Sequence, residues 1–203
     1  MTLESSRAKL GAALLLATSA VHAGTVQVQV LDGASKPLPE AVVFLESREA
    51  RLAAKPARDV TIAQVNKQFS PSVSVVPVGT AVEFPNRDTV RHHVYSFSQI
   101  KPFELKLYAG TPANPVVFDR AGIAVLGCNI HDHMTAWVVV VETPYYARTA
   151  AGGRAILEGV PAGNYRLRAW HAGLPVGAPA ADEPITVMAG NTAATVSLAE
   201  MPK

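Results

Sequence analysis

Three side chains that commonly bind soft metal ions lie within one short segment, residues 126–134 (LGCNIHDHM). Cys128 is the only cysteine of the chain, His131 follows three residues later, and Met134 follows after three more. A thiolate, an imidazole and a thioether are soft and borderline donors, and together they suit copper better than any other common metal. The segment therefore predicts a copper site built around Cys128.

A further imidazole nitrogen is available upstream, where His92 and His93 begin an extended run. Because adjacent residues of a strand point to opposite faces, only one of the two can reach a shared metal ion. His133 is another alternate, since His131 and His133 together could form a histidine-rich site of a harder, zinc-like type. Residue types and spacing leave these alternatives open.

The same residues also have structural interpretations. Free cysteine is often a small buried hydrophobe, and methionine routinely fills cores. The donors that surround Cys128 favour a metal ligand over an inert thiol, and Met134 is predicted to be a weak axial ligand. Asp88 and Asp132 are interpreted as ordinary loop acids.

The segments that must position these donors are short, β-branched and separated by turns. Valines alternate with polar residues at 26–30, and residues 136–141 form an uninterrupted apolar run, which is typical of a strand buried on both faces. Gly (14) and Pro (15) are spread between such runs, which favours an all-β sandwich. Residues 46–59 show no clear period and are predicted to be a connection without a helix.

Composition and motifs argue against several classes of function. The 203 residues allow one large or two small domains, at roughly 100–200 residues each. The formal net charge is only +2 and there is no long basic run, so no nucleic-acid partner is expected. The sequence has no P-loop, G-x-G-x-x-G, G-x-S-x-G or C-x-x-C motif. It is therefore predicted not to be an enzyme.

The N-terminus has the pattern of a secretory signal peptide. Arg7 and Lys9 precede an apolar core at residues 10–20, and residues 21–23 (VHA) offer small side chains at the cleavage positions. A membrane-spanning helix needs about 20 apolar residues, which this core does not reach. Residues 1–23 are therefore predicted to be a signal peptide, and the mature protein is expected in the periplasm without a membrane span.

The two ends of the chain resemble the two halves of one module, the carboxypeptidase regulatory-like β-sandwich. The matching strands and turns lie at residues 26–45, 153–169 and 189–198. A domain-sized stretch separates the halves, and loop tips tolerate such insertions. Residues 24–50 plus 143–203 are therefore predicted to form one discontinuous sandwich. Residues 51–142 are predicted to form a second domain inserted into it or packed beside it.

The inserted segment resembles the cupredoxin family, and within it the plastocyanin-like proteins often labelled methylamine utilisation proteins. The resemblance is carried by residues 84–88 (FPNRD), 92–96 (HHVYS), 128–131 (CNIH) and Met134. It implies a Greek-key β-sandwich that holds one type 1-like copper ion through His92, Cys128, His131 and Met134. The wider family often has Asn at the place of His93 and a variable residue at the place of His133. Both histidines are therefore kept as alternates.

This resemblance implies a one-electron carrier whose copper alternates between Cu(I) and Cu(II). Its partners would be other redox proteins of the periplasm. Two alternatives use the same residues: a periplasmic protein that delivers or stores copper, and a structural β module that a metal ion stabilises.

Overall fold

The computed structural model describes residues 23–199 and residue 201. Except for Ala23, the predicted signal peptide lies outside the described residues, so it stays a prediction. No helix in the described part of the chain is long and apolar enough to cross a membrane.

The described residues form seventeen strands and one short helix. The first nine strands and the helix are β1 (Ala23–Asp32), β2 (Val42–Glu46), α1 (Arg48–Ala53), β3 (Val60–Thr61), β4 (Ala63–Val65), β5 (Gln68–Ser70), β6 (Val73–Pro77), β7 (Thr80–Glu83), β8 (His92–Ser96) and β9 (Phe103–Tyr108). The other eight are β10 (Val116–Phe118), β11 (Gly122–Gly127), β12 (Thr135–Val141), β13 (Tyr146–Arg148), β14 (Arg154–Pro161), β15 (Gly163–Trp170), β16 (Ala181–Val187) and β17 (Asn191–Leu198). The all-β prediction is confirmed.

Strands from the two ends of the chain pair with each other in two sheets, which we call the outer sandwich. One sheet has the order β14-β1-β17 and the other β13-β2-β15-β16. The alternating valines at 26, 28 and 30 are all buried in the core between these sheets. Successive side chains of a strand point to opposite faces, so the three valines share one face of β1.

Strands β3 to β12 form a second set of sheets, which we call the inner sandwich. A five-stranded sheet has the order β6-β12-β11-β8-β9, and smaller sheets have the orders β10-β7-β3 and β4-β5. Strand β12 lies parallel to β6 and antiparallel to β11. A separate core, which includes Phe84, Phe118, Leu126, Cys128 and Met134, fills the interior.

The two sandwiches meet across one face of β12. Val138 and Val140 belong to the core of the inner sandwich, whereas Val139 and Val141 pack with residues of the outer sandwich that include Phe44 and Trp170. Strand β12 is therefore buried on both faces, as its uninterrupted apolar run predicts.

Helix α1 was not predicted from the sequence. Ser47 caps it, with the Ser47 side-chain oxygen accepting a hydrogen bond of 3.0 Å from the Ala50 N–H. Only Ala50 of this helix is buried, so six residues give no apolar period that a sequence pattern could reveal.

Candidate metal centre

The sequence places Cys128 at the end of a strand that is fixed on both sides. Strand β11 pairs with β12 from Gly122↔Val140 to Gly127↔Thr135, and Gly127 also pairs with Tyr95 of β8. Cys128 follows directly and is buried in the core of the inner sandwich. The segment 128–134 is thus a loop whose two ends are held by the same antiparallel pair.

His92 is the first residue of β8, and its side chain lies beside Cys128. Its ring is completely buried, and its Nδ1 atom lies 3.8 Å from the Sγ atom of Cys128. Its other nitrogen, Nε2, lies 2.8 Å from Oδ2 of Asp88. The imidazole therefore has one nitrogen toward the thiol and the other toward a carboxylate.

His131 and Met134 are positioned by one tight turn of the 128–134 loop. The Met134 N–H donates a hydrogen bond of 2.9 Å to the carbonyl oxygen of His131. The rings of His131 and His92 have their centroids 5.1 Å apart. Met134 is buried in the same core as Cys128. The turn therefore keeps His131, which lies beside His92, close to Met134 in the core.

The donor atoms of His92, Cys128 and His131 all lie within 4.8 Å of one another. A metal ion with bonds of about 2.3 Å to sulfur and about 2.0–2.1 Å to nitrogen, the values known for zinc, holds two such donors about 3.8 Å apart at a trigonal angle of about 120°. The observed separation of 3.8 Å between His92 Nδ1 and Cys128 Sγ fits this value.

One further observation fits a metal ion. The Nδ1 atom of His131 is buried and has no hydrogen-bond partner among the described residues. Removal from water lowers the pKa of His131, and the nearby His92, Lys67 and His133 lower it further. A neutral imidazole keeps a lone pair that a metal ion can accept. The arrangement is therefore suited to one metal ion.

The alternates His93 and His133 lie outside this group. The Nε2 atom of His93 lies 2.9 Å from Oε1 of Glu104, and its ring meets that of Tyr95 edge-on. The exposed His133 has its Nε2 atom 3.1 Å from the carbonyl oxygen of Lys67. Neither histidine belongs to the set of mutually close donors.

Sequence reasoning missed the role of Asp88 in this arrangement. Its carboxylate accepts hydrogen bonds from the N–H groups of Asn66 (2.7 Å) and Lys67 (2.8 Å) in addition to its contact with His92. Although burial raises the pKa of Asp88, these hydrogen bonds outweigh it, and the pKa lies below its ordinary value. The interpretation of Asp88 as an ordinary loop acid is therefore incomplete. No motif signals the contact, because Asp88 lies in the loop before β8 and the four-residue spacing to His92 is not that of a helix.

A second polar group lies beside the donors in the core. The hydroxyl of Tyr108 donates toward the side-chain oxygen of Gln64 (2.8 Å) and the carbonyl oxygen of Phe84 (2.6 Å). Burial raises the pKa of Tyr108. Asn86 donates from its amide to the carbonyl oxygens of Val90 (2.8 Å) and Tyr108 (3.0 Å), which joins the loop before β8 to the end of β9.

Comparison with solved structures finds cupredoxins. A purple cupredoxin from Nitrosopumilus maritimus is 24% identical, with 41% of this chain and 100% of that chain covered and a TM-score of 0.37. A mutant of amicyanin in the reduced Cu(I) form is 19% identical, with 49% and 98% covered and a TM-score of 0.38. The copper-containing nitrite reductase of Thermus scotoductus is 24% identical, with 55% of this chain but only 28% of that chain covered and a TM-score of 0.38. At TM-scores this low, the similarities assign no role to any residue here.

One family model matches the C-terminal part of the chain. It is described as polysaccharide lyase family 4, domain II, and it matches residues 121–195, from the end of the inner sandwich into the outer sandwich. This family differs from the carboxypeptidase regulatory-like module that the two ends of the sequence resemble. No protein with a curated description matches the chain.

Proposed function

We propose that this protein is an exported mononuclear copper protein that carries one electron at a time between redox partners in the periplasm. The observation that supports the proposal most directly is the convergence of one thiol and two imidazoles, from Cys128, His92 and His131, within 4.8 Å of one another. A trigonal set of one Cys and two His with a weak axial thioether is the donor set of blue-copper electron-transfer sites.

The residues of the site have distinct roles in this proposal. Cys128 supplies a thiolate, His92 and His131 supply neutral imidazole nitrogens, and the buried Met134 supplies the weak axial donor. The bound copper ion supplies a one-electron couple between Cu(I) and Cu(II). The chain's own contribution is to hold its donors still, because a site that fits both oxidation states needs little rearrangement when the electron moves.

The way in which the donors are held favours a carrier. Cys128 follows a strand that is paired on both sides, and the hydrogen bond between Met134 and His131 closes the loop. His131 is partly exposed, whereas His92 and Cys128 are buried. Electrons would therefore enter and leave closest to the edge of His131. We do not expect an enzyme, since four protein donors leave no open position for a substrate.

The domain organisation is part of the same proposal. Residues 51–142 would form the copper domain, inserted into a discontinuous sandwich of residues 24–50 and 143–203. The separate cores of the inner and outer sandwiches support this division. Export to the periplasm rests on the signal-like pattern of residues 1–23.

Voltammetry of the copper-loaded protein tests the carrier. We expect one reversible one-electron wave, and we expect Met134→Leu to keep the wave but raise its potential, because loss of a donor disfavours Cu(II) more than Cu(I). The substitution conserves volume and should cost less than about 1.5 kcal/mol of stability. An irreversible wave combined with rapid copper loss to a chelator would instead support copper delivery or storage.

A further inference from the structure

Asp88 makes a side-chain contact with one of the proposed metal ligands. Its Oδ2 atom lies 2.8 Å from Nε2 of His92, on the side of the ring opposite to Cys128. The His92 side chain is fully buried and that of Asp88 is 13% exposed. The contact is therefore largely shielded from water, where a hydrogen bond to a charged group is stronger than at the surface.

The carboxylate of Asp88 is fixed by groups other than His92. Oδ1 accepts from the Asn66 N–H and Oδ2 accepts from the Lys67 N–H, at 2.7 and 2.8 Å. The Asp88 N–H donates to the side-chain oxygen of Asn86 at 2.9 Å. Asn66 and Lys67 both have positive φ values, 52° and 56°, which turn their N–H groups to the same acceptor. His92 thus meets an acceptor that the surrounding loops already hold in place.

This contact decides which nitrogen of His92 carries the proton. An ionised carboxylate can only accept hydrogen bonds, so Nε2 must be the donor. In a neutral imidazole the lone pair then belongs to Nδ1, the atom 3.8 Å from Cys128 Sγ. Metal-binding histidines commonly donate their second nitrogen to a carboxylate, which fixes the ring and makes the ligand more basic.

We propose that Asp88 is a positioning residue for the metal centre, which holds His92 in the Nε2–H tautomer and increases the donor strength of its Nδ1 atom. The assignment of the tautomer depends only on these contacts, whereas the effect on a bound metal ion rests on the proposed function. The negative charge also stabilises the more highly charged Cu(II) state over Cu(I). Asp88 therefore lowers the reduction potential relative to a neutral residue at the same place.

The first test uses the unmodified protein and no copper. Nitrogen-15 NMR of the full mature chain at neutral pH, metal-free and loaded with zinc, reports which nitrogen of His92 carries the proton. We expect the proton on Nε2 in both states, with an Nε2–H resonance shifted downfield by the carboxylate. A proton on Nδ1 in the metal-free protein overturns the proposal, whether or not any variant folds.

The second test compares Asp88→Asn with Asp132→Asn. Both remove one negative charge close to the 128–134 loop, but only Asp88 contacts His92. We expect Asp88→Asn to weaken zinc binding by about 10–100-fold in a competition titration, and Asp132→Asn to leave it nearly unchanged. Equal effects of the two substitutions would mean that Asp88 acts only through net charge, which overturns the proposal.

The reduction potential of the copper-loaded proteins provides a third test of Asp88→Asn. If Asp88→Asn weakens Cu(II) binding ten-fold more than Cu(I) binding, the potential rises by about 59 mV. An unchanged potential overturns the electronic part of the proposal. The zinc and NMR results do not depend on copper, so a failed copper site with the expected tautomer would reject the proposed electron carrier while leaving the positioning role of Asp88 in place.

Discussion

His92 and His93 are adjacent and both buried, yet they have different neighbours. His92 lies against Cys128, His131 and Asp88, whereas His93 lies against Tyr95 and Glu104. The pairing of β8 with β9 is irregular between His92 and Val94, so the strand is bulged at His93. The two rings nevertheless have different partners, and only that of His92 lies beside Cys128.

Substitution of each histidine in turn tests whether His92, and not His93, is the metal ligand. We expect His92→Ala to abolish the absorption of a copper–thiolate centre, because it removes one of the three convergent donors. His93→Ala should keep the absorption, and any effect should be confined to stability. Titration of both variants with cupric ion, followed in the visible range, checks this. Retained colour in His92→Ala together with lost colour in His93→Ala would reverse the assignment.

The donor residues could be predicted from the sequence because their types are rare together. One cysteine, with histidine and methionine at three-residue spacing, points to a soft metal whatever the fold. Asp88 could not be recognised in this way, since aspartates are frequent in loops and its role depends on two backbone N–H groups of a distant turn, at Asn66 and Lys67. A tertiary hydrogen bond of this kind produces no repeating pattern in the sequence.

At the scale of elements, the loop that carries Cys128 depends on how closely β8 and β11 approach. A Cβ atom at Gly127 would lie 2.6 Å from Cζ of Tyr95 and 2.7 Å from its hydroxyl oxygen. Gly127 is also the residue at which β11 pairs with Tyr95 of β8. The absence of a side chain at this position therefore lets the aromatic ring cover the strand just before the cysteine.

We expect Gly127→Ala to lower the free energy of unfolding by about 1–3 kcal/mol, the usual cost of overpacking. Gly152→Ala is the matched control, since a Cβ there meets nothing within 4 Å. Its effect should stay within about 0.5 kcal/mol. Denaturant unfolding of the metal-free proteins measures both. Equal stability of the two variants would show that the Tyr95 ring moves aside without cost.

Most strands were predictable at this scale, and the short helix was not. Alternating valines at 26–30 and the continuous apolar run at 136–141 match the burial of β1 and β12. Helix α1 begins instead at the Ser47 cap and packs only Ala50 into the core. Isolated helices of fewer than about 12 residues are marginal, so a helix this short forms only in its tertiary context.

At the scale of the whole molecule, the sandwiches are joined by an apolar layer with a charged border. Val139, Val141, Phe44 and Trp170 belong to the layer. Beside it, Glu46 lies 3.3 Å from the guanidinium group of Arg168. Burial raises the pKa of Glu46 and Glu142 raises it further, whereas Arg168 and Arg51 oppose the shift. The junction thus contains a carboxyl group that binds its proton more tightly than a free glutamate does.

This shift predicts how stability depends on pH. The folded chain binds a proton at Glu46 more tightly than the unfolded chain, so this contribution to stability is present at low pH and lost as pH rises through the raised pKa. Glutamine does not titrate, so Glu46→Gln should remove this loss of stability. The melting temperature of the variant should therefore rise relative to that of the unmodified protein as pH increases from about 4 to 7. Glu183→Gln, at an exposed position of β16, should show no such gain. A parallel pH dependence of Glu46→Gln and the unmodified protein would contradict the prediction.

The central claim is that Cys128, His92 and His131 hold one copper ion together. Its most direct measurement is an optical and paramagnetic-resonance spectrum after addition of one equivalent of cupric ion to the unmodified protein and to Cys128→Ser. We predict an intense thiolate-to-copper charge-transfer absorption in the first and none in the second. A colourless cupric complex of the unmodified protein would contradict the account.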